Sequence, residues 1–368
     1  MLRILVALAG SFVGIEILLI VADPWLSVGP FQFDAQLGFR GRPYYGGANR
    51  FGFDDVDYPL QKPPGNFRVL VLGDSYDWGA GRDGNYSALL ERKLEQHYGT
   101  HVVDVIRAGY PGTHTGDQLA LLKAYGLHYH PDLVVLGFQA IGDFADADPY
   151  RRRVVLNGAF VDLDVRSHFN IALWNRPIVP RSRLWVLISQ SWQSLREAVR
   201  KRRGAGPQGA FSEERFLDLK RTQLEFCSYR AWQQGTFNPR IAHVGVSITA
   251  LQQLLRQRRI GMLVVIYPDE LTVNERVAQE LFSRFRLDPK DYQLDCAHLF
   301  LHAYLSSISV PFVDLLDDFK REEAHQELYR FRDRQWSAAG NQLAADVLFP
   351  RLLEVIEQHR SAAQGEKR

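Results

Sequence analysis

Apolar residues recur along this chain with two alternating periods. At 67–72 a nearly continuous apolar run, Phe67, Val69, Leu70, Val71 and Leu72 around Arg68, reads as a buried strand. From 85 to 98 the period changes, and Tyr86, Leu89, Leu90 and Leu94 share one face of a helix. The same exchange repeats downstream. Strands are predicted at 102–106, 133–136, 262–267 and 311–315, with helices at 115–127, 243–259, 273–286, 292–307 and 337–359. Strands alternating with helices imply a parallel sheet covered on both faces, and right-handed crossovers then give a three-layer α/β/α, doubly wound architecture.

The first apolar run stops at Gly73-Asp74-Ser75, which presents a serine at the carboxyl end of a strand, where ligands collect in open parallel sheets. Alone, the tripeptide is ordinary turn chemistry. Three further blocks follow it: Ile106-Arg107-Ala108-Gly109-Tyr110-Pro111-Gly112-Thr113, then Pro131 to Phe138 leading into Gly142-Asp143-Phe144, and Asp333-Arg334-Gln335-Trp336 leading to Gly340-Asn341. In this order the four resemble the blocks of the SGNH, or GDSL-type, hydrolase family, in its membrane-anchored bacterial branch. The resemblance runs from about Gly46 to Ile356, with one insert, and takes in the lead-in Asn49-Arg50-Phe51-Gly52-Phe53-Asp54. It implies a flavodoxin-like sheet and ester hydrolysis or O-acyl transfer on a saccharide, lipid or small ester. It implies no metal or other cofactor. Carried over residue by residue, Ser75 matches the nucleophile and Gly109 the glycine whose backbone N–H helps hold the oxyanion. A serine hydroxyl needs a nearby base and preorganised donors to react, and a glycine lets substrate approach the main chain.

Two blocks depart from the family pattern. Gly142-Asp143 stands where the family has Asn followed by Asp, so the side-chain amide donor is missing. Loss of one oxyanion donor costs about 2.7–4 kcal/mol of transition-state stabilisation. Gln335 stands where the general-base histidine is expected, and glutamine cannot take a proton from Ser75, so Asp333 has no imidazole to orient. His114, just beyond Gly109, is the alternative base, while His298, His302 and His325 read as ordinary histidines. Asp74 and Asp143 fit turn-capping roles, and Tyr267 and Asp269 lie where a strand exits towards the crevice. Two functions stay open. One is a weakened esterase working through Ser75, and the other is an inactive relative that binds a saccharide or lipid, or serves as scaffold for a membrane enzyme complex.

The ends and the insert set the context. Residues 4–22 are apolar apart from Gly10, Ser11, Gly14 and Glu16, a length that favours a retained transmembrane anchor at 1–23 over a cleaved signal. Arg3 favours a cytoplasmic N-terminus with the body on the extracytoplasmic, periplasmic side. The chain then divides into a lead-in at 24–66, a first half at 67–150, an insert at 151–240, a second half at 241–359 and a disordered tail at 360–368. From Tyr150 to Arg221 there are 15 Lys and Arg against 6 Asp and Glu, although the whole chain carries only +2. This basic, helical insert contains Trp174, Trp185, Trp192 and Arg200-Lys201-Arg202-Arg203, suited to an anionic polymer or lipid headgroups or to a solvated face. No nucleic-acid-binding pattern accompanies it. The only cysteines, Cys227 and Cys296, are too far apart in sequence to say whether they meet.

Overall fold

The computed structural model describes residues 2–26, 29–78, 81–156, 159–166 and 211–365, together with Leu184 and Ile188. Its strands, in chain order, are β1 (Phe31–Asp34), β2 (Gly38–Gly41), β3 (Phe67–Gly73), β4 (Val103–Gly109), β5 (Leu133–Gln139), β6 (Arg151–Leu156), β7 (Ala159–Asp164), β8 (Gly261–Tyr267) and β9 (Phe312–Asp314). The helices that matter below are α1 (Leu2–Leu26), α2 (Tyr86–Tyr98), α3 (Thr115–Ala124), α4 (Gly142–Asp146), α5 (Glu213–Phe226), α6 (Asn238–Gln257), α7 (Cys296–Ser307), α8 (Leu316–Glu323) and α9 (Ala338–Gly365). Contacts divide the chain into two units, Met1–Gly52 with Tyr150–Pro207, and Phe53–Pro149 with Gln208–Arg368.

The second unit is built on one five-stranded sheet of order β4-β3-β5-β8-β9, with every pair parallel. All seven residues of β3, of β4 and of β5 are buried, as parallel strands covered on both faces must be. α2 packs against α9, and α3 against α6. A core of Val69, Val71, Leu90, Leu94, Leu263, Trp336, Leu348 and Leu352 fills the space between the sheet and the α2 and α9 layer. The expected α/β architecture with a parallel sheet is therefore present. β3 and β4 run past their apolar residues to Gly73 and Gly109, positions that hydropathy cannot assign to strand or turn. α3 stops at Ala124 and passes into a 3-10 turn at Gly126–Tyr129. α6 begins earlier than predicted, at Asn238, with Pro239 in its first turn, where the missing N–H costs nothing. α8 had no prediction, because its eight residues are too few to display a period. α9 continues to Gly365, into the stretch expected to be disordered.

The first unit holds two antiparallel pairs, β1 with β2 and β6 with β7. Phe31, Phe39 and Phe160 join them, with ring centroids 5.0–5.8 Å apart. Gly41 and Gly52 pack backbone on backbone, such that a Cβ on either would meet the other's carbonyl oxygen within about 2 Å. The insert, expected to be helical, thus opens as a β-hairpin at 151–164. The correction has a sequence reason: β-branched and charged residues flank Asn157-Gly158, a strong hairpin signal. Trp174, Trp185, Trp192 and the Arg200–Arg203 cluster lie outside the described residues. Gln208 onward, also assigned to the insert, groups with the second unit.

The membrane-spanning anchor expected at 1–23 is not supported. α1 is 25 residues long, several of its side chains lie outside the described residues, and among those described no helix is long and apolar enough to cross a membrane. Gly10, Ser11, Gly14 and Glu16 interrupt its apolar character.

Candidate active site

β3 lies between β4 and β5, so the chain leaves β3 for one side of the sheet, then returns to build the other. The carboxyl ends of β3 and β5 flank that switch point, where an open α/β sheet forms its crevice. Ser75 lies two residues beyond Gly73, at the end of β3. Asp74 bends the chain there by accepting the N–H of Tyr76 at 2.9 Å. Ser75 is half-buried, and no described residue hydrogen-bonds its hydroxyl. Gly109 ends β4 directly opposite Gly73. A Cβ at 109 would come within 2.8 Å of Asp77 Cβ, and one at 73 within 1.6 Å of Asp77 Oδ2, so both glycines make room for a carboxylate laid across the strand ends.

The fourth block reaches the first. Gln335 Nε2 donates to the Ser75 carbonyl oxygen at 3.1 Å, and Asn341 Oδ1 accepts the Tyr86 N–H at 3.0 Å. Asp333 points elsewhere: it accepts the Arg334 N–H at 2.7 Å and faces Arg330 at 3.9 Å. Gly142 and Asp143 open α4 beyond β5, and Asp143 accepts the Gln139 N–H at 3.1 Å. His114 makes its contacts away from Ser75. It caps α3, with Nδ1 accepting the Gly116 N–H at 3.2 Å, Nε2 3.5 Å from Asp117 and its ring 5.4 Å from that of His243. Its Nδ1 lone pair is therefore committed to the helix. His298 and His302, one turn apart on α7, both meet Asp314 at the end of β9, at 2.9 and 2.7 Å. Burial works against ionising Asp314, but its bonds to these histidines hold its pKa below the usual range.

The electrostatics of the crevice are those of crowded carboxyls. Burial pushes Asp74 up to about 6, helped by Asp146 and opposed by the Tyr76 N–H and by Arg334. Asp143 is driven well above the ordinary value by burial, then by Asp74, Asp146 and Asp77. Asp77, fully buried, rises to about 7 because burial outweighs the hydrogen bonds it accepts from Tyr86 at 2.8 Å and Tyr267 at 3.3 Å. At neutral pH Asp77 is about half protonated, while Asp74, with its pKa about a unit below that pH, is mostly ionised, so the serine turn keeps a carboxylate beside it.

Four residues here have no role assigned to them by the sequence blocks. Asp77 clasps the hydroxyls of Tyr86 and Tyr267, which also bond to each other. Lys220 on α5 is 1% exposed, bonds Asp269 at 2.8 Å and lies 3.7 Å from Glu270. Burial would raise Asp269, yet Lys220, the Leu271 N–H and Arg334 together outweigh it and hold that carboxyl below its usual range. Gln139, at the end of β5, donates Nε2 to Asp269 at 3.3 Å and fills the space beside Gly142, whose Cβ would lie 2.1 Å from Gln139 Oε1. Arg334 has a buried Nε without a hydrogen-bond partner, and its charge acts on both Asp74 and Asp269. The detectable signals were weak: Asp77 two residues beyond Ser75, and Arg334 between Asp333 and Gln335. Among the described residues no group of three or more His, Cys, Asp or Glu could hold a metal ion.

No protein-family model matches the chain, and no curated protein does. Solved structures similar to it include an acetyl xylan esterase, 16% identical, covering 77% of this chain and 99% of its own, with a TM-score of 0.41. The acetylxylan esterase Axe2 from Geobacillus stearothermophilus is 13% identical over 79% of this chain and 95% of its own, with a TM-score of 0.42. An α/β hydrolase from the Lake Arreo metagenome is 14% identical over 77% and 94%, at 0.37.

Proposed function

We propose that this chain is a slow serine-dependent hydrolase or acyl-transferase acting on an ester of a saccharide, a lipid or a small alcohol, with Ser75 as nucleophile. The observation that carries the reading is the bond from Gln335 to the Ser75 carbonyl, because it sets the block that normally delivers the base against the block that delivers the serine. Gly109, level with Gly73 across β3 and β4, supports an oxyanion role for its N–H, and a half-buried Ser75 hydroxyl without a partner is free to meet an acyl group. Gln335 orients the serine turn but cannot accept the proton, so proton removal falls to water or to a neighbouring carboxylate. The reaction is therefore slow. The proposal also puts the body outside the cytoplasm, because Arg3 ahead of the apolar run at 4–22 suits an exported chain whether or not that run stays in a membrane.

The test is covalent labelling. A fluorophosphonate probe at neutral pH is expected to label the chain slowly at Ser75, and Ser75→Ala is expected to abolish both the label and a low rate of acetyl-ester hydrolysis. Labelling unchanged by Ser75→Ala would sink the proposal. No labelling of a folded chain would leave the non-catalytic binding or scaffold reading in its place.

A further inference from the structure

The two cysteines, 69 positions apart, are brought side by side away from the crevice. Cys227 caps the end of α5, and Cys296 opens α7. The backbone segments leading to them run antiparallel: Ser228 bridges Tyr292, and the Gln293 N–H donates to the Cys227 carbonyl at 2.8 Å. Each sulfur then reaches across to the other's strand. Cys227 Sγ lies 3.7 Å from the Leu294 carbonyl oxygen, and Cys296 Sγ lies 3.7 Å from that of Phe226. Both thiols are free. They open on a cavity of about 400 Å³ lined by Tyr229, Trp232, Leu299 and Phe300.

We propose that Cys227 and Cys296 form a thiol–disulfide exchange site for low-molecular-weight organic disulfides, which convert the pair into an intramolecular disulfide. The two thiols have different parts to play. Cys296 is the partly exposed member and sits at the entrance of α7, where an incoming disulfide reaches its sulfur first. Cys227 is 1% exposed, and its pKa is pushed well up, first by its hydrogen bond to Cys296 and then by burial. Cys296 thus attacks one sulfur of the incoming disulfide, expelling the first thiol as thiolate and leaving a mixed disulfide on itself. Cys227 then loses its proton to solvent and attacks Cys296 Sγ, expelling the second thiol. Two protein thiols and one external disulfide give one internal disulfide and two external thiols. The apolar cavity admits the organic disulfide to Cys296 while leaving Cys227 to resolve it.

The full chain, reduced and then incubated under native conditions with glutathione disulfide, is expected to lose both titratable thiols without retaining a glutathione adduct. Peptide mapping without reductant is expected to link the segments holding residues 227 and 296. In Cys227→Ser the reaction stops at a stable adduct on Cys296, and in Cys296→Ser adduct formation at Cys227 slows at least tenfold. A persistent adduct on Cys296 in the unmutated chain overturns the proposal. So do two thiols that stay titratable in the folded chain while the urea-unfolded chain is oxidised.

Discussion

At the scale of single residues, the departures at 142 and 335 have different physical consequences. Gln335 already touches the serine turn, so Gln335→His places an imidazole beside Ser75 without new backbone geometry. General-base catalysis contributes about 10²–10⁴-fold, and a rise of at least about a hundredfold in kcat/KM for small acetyl esters is expected of this variant. A rate unchanged from that of the unmutated chain would show that Ser75 and position 335 do not cooperate. Gly142 is not a simple vacancy, since Gln139 occupies the volume an Asn side chain would need. Gly142→Asn alone is therefore expected to lower stability by about 1–3 kcal/mol through overpacking. Gly142→Asn with Gln139→Ala is expected to recover much of that loss, read by urea unfolding. If the single variant is as stable as the parent chain, the close contact does not constrain the site. The sequence singles out Ser75, Gly109 and Gln335 as candidates because ordered blocks constrain one another. It left Gln139 and Asp77 illegible, because their positions depend on which strand ends adjoin in the folded sheet.

At the scale of elements, the strands were readable because five parallel strands need apolar runs, and the helices α2, α3, α6, α7 and α9 because each carries an apolar stripe. α5 lies in a basic stretch expected to be helical without bounds for any one helix, yet it contributes the cation on which the crevice wall depends. Lys220 is buried with Asp269 and beside Glu270, and removing it leaves two carboxyls without their counter-charge. Glu270 already rises to about 7, with burial as the main cause and Lys220 opposing it. Lys220→Met keeps the apolar stem while deleting the charge, and it is expected to cost about 3–5 kcal/mol at pH 8. The loss is expected to shrink at pH 5, where Glu270 can take up a proton. Adding Asp269→Asn should restore part of the stability, since an amide can still accept the Leu271 N–H that Asp269 now accepts at 2.8 Å. A Lys220→Met variant of unchanged stability would mean that α5 is held by its apolar face alone.

At the scale of the whole molecule, the buried acids give the sheet-bearing unit a characteristic pH response. Asp55 and Asp74 rise to about 6, and Asp77 and Glu91 to about 7, each with burial as the leading cause. An acid whose pKa is higher in the folded than in the unfolded chain binds more protons when folded, and stability then falls as pH rises between the two values. The window opens near pH 4, where unfolded carboxyls ionise, and closes a little above 7. Each such group contributes a slope of at most about 1.4 kcal/mol per pH unit within it. Asp269 and Asp314 act in the opposite sense, for their carboxyls are held low in the fold and their contribution is lost only as pH drops below about 4. Stability should therefore be greatest near pH 4–5 and decline towards pH 8, despite a chain that carries a formal charge of only +2 at neutrality. Asp77→Asn keeps an oxygen to accept from Tyr86 but removes the titration, so its Tm is expected to fall less steeply from pH 5 to pH 8 than that of the parent chain. Scanning calorimetry at constant ionic strength measures both slopes. A parent Tm that is flat or rising across that interval would show that these carboxyls ionise as freely in the fold as in the unfolded chain, and that the crevice carries a standing negative charge.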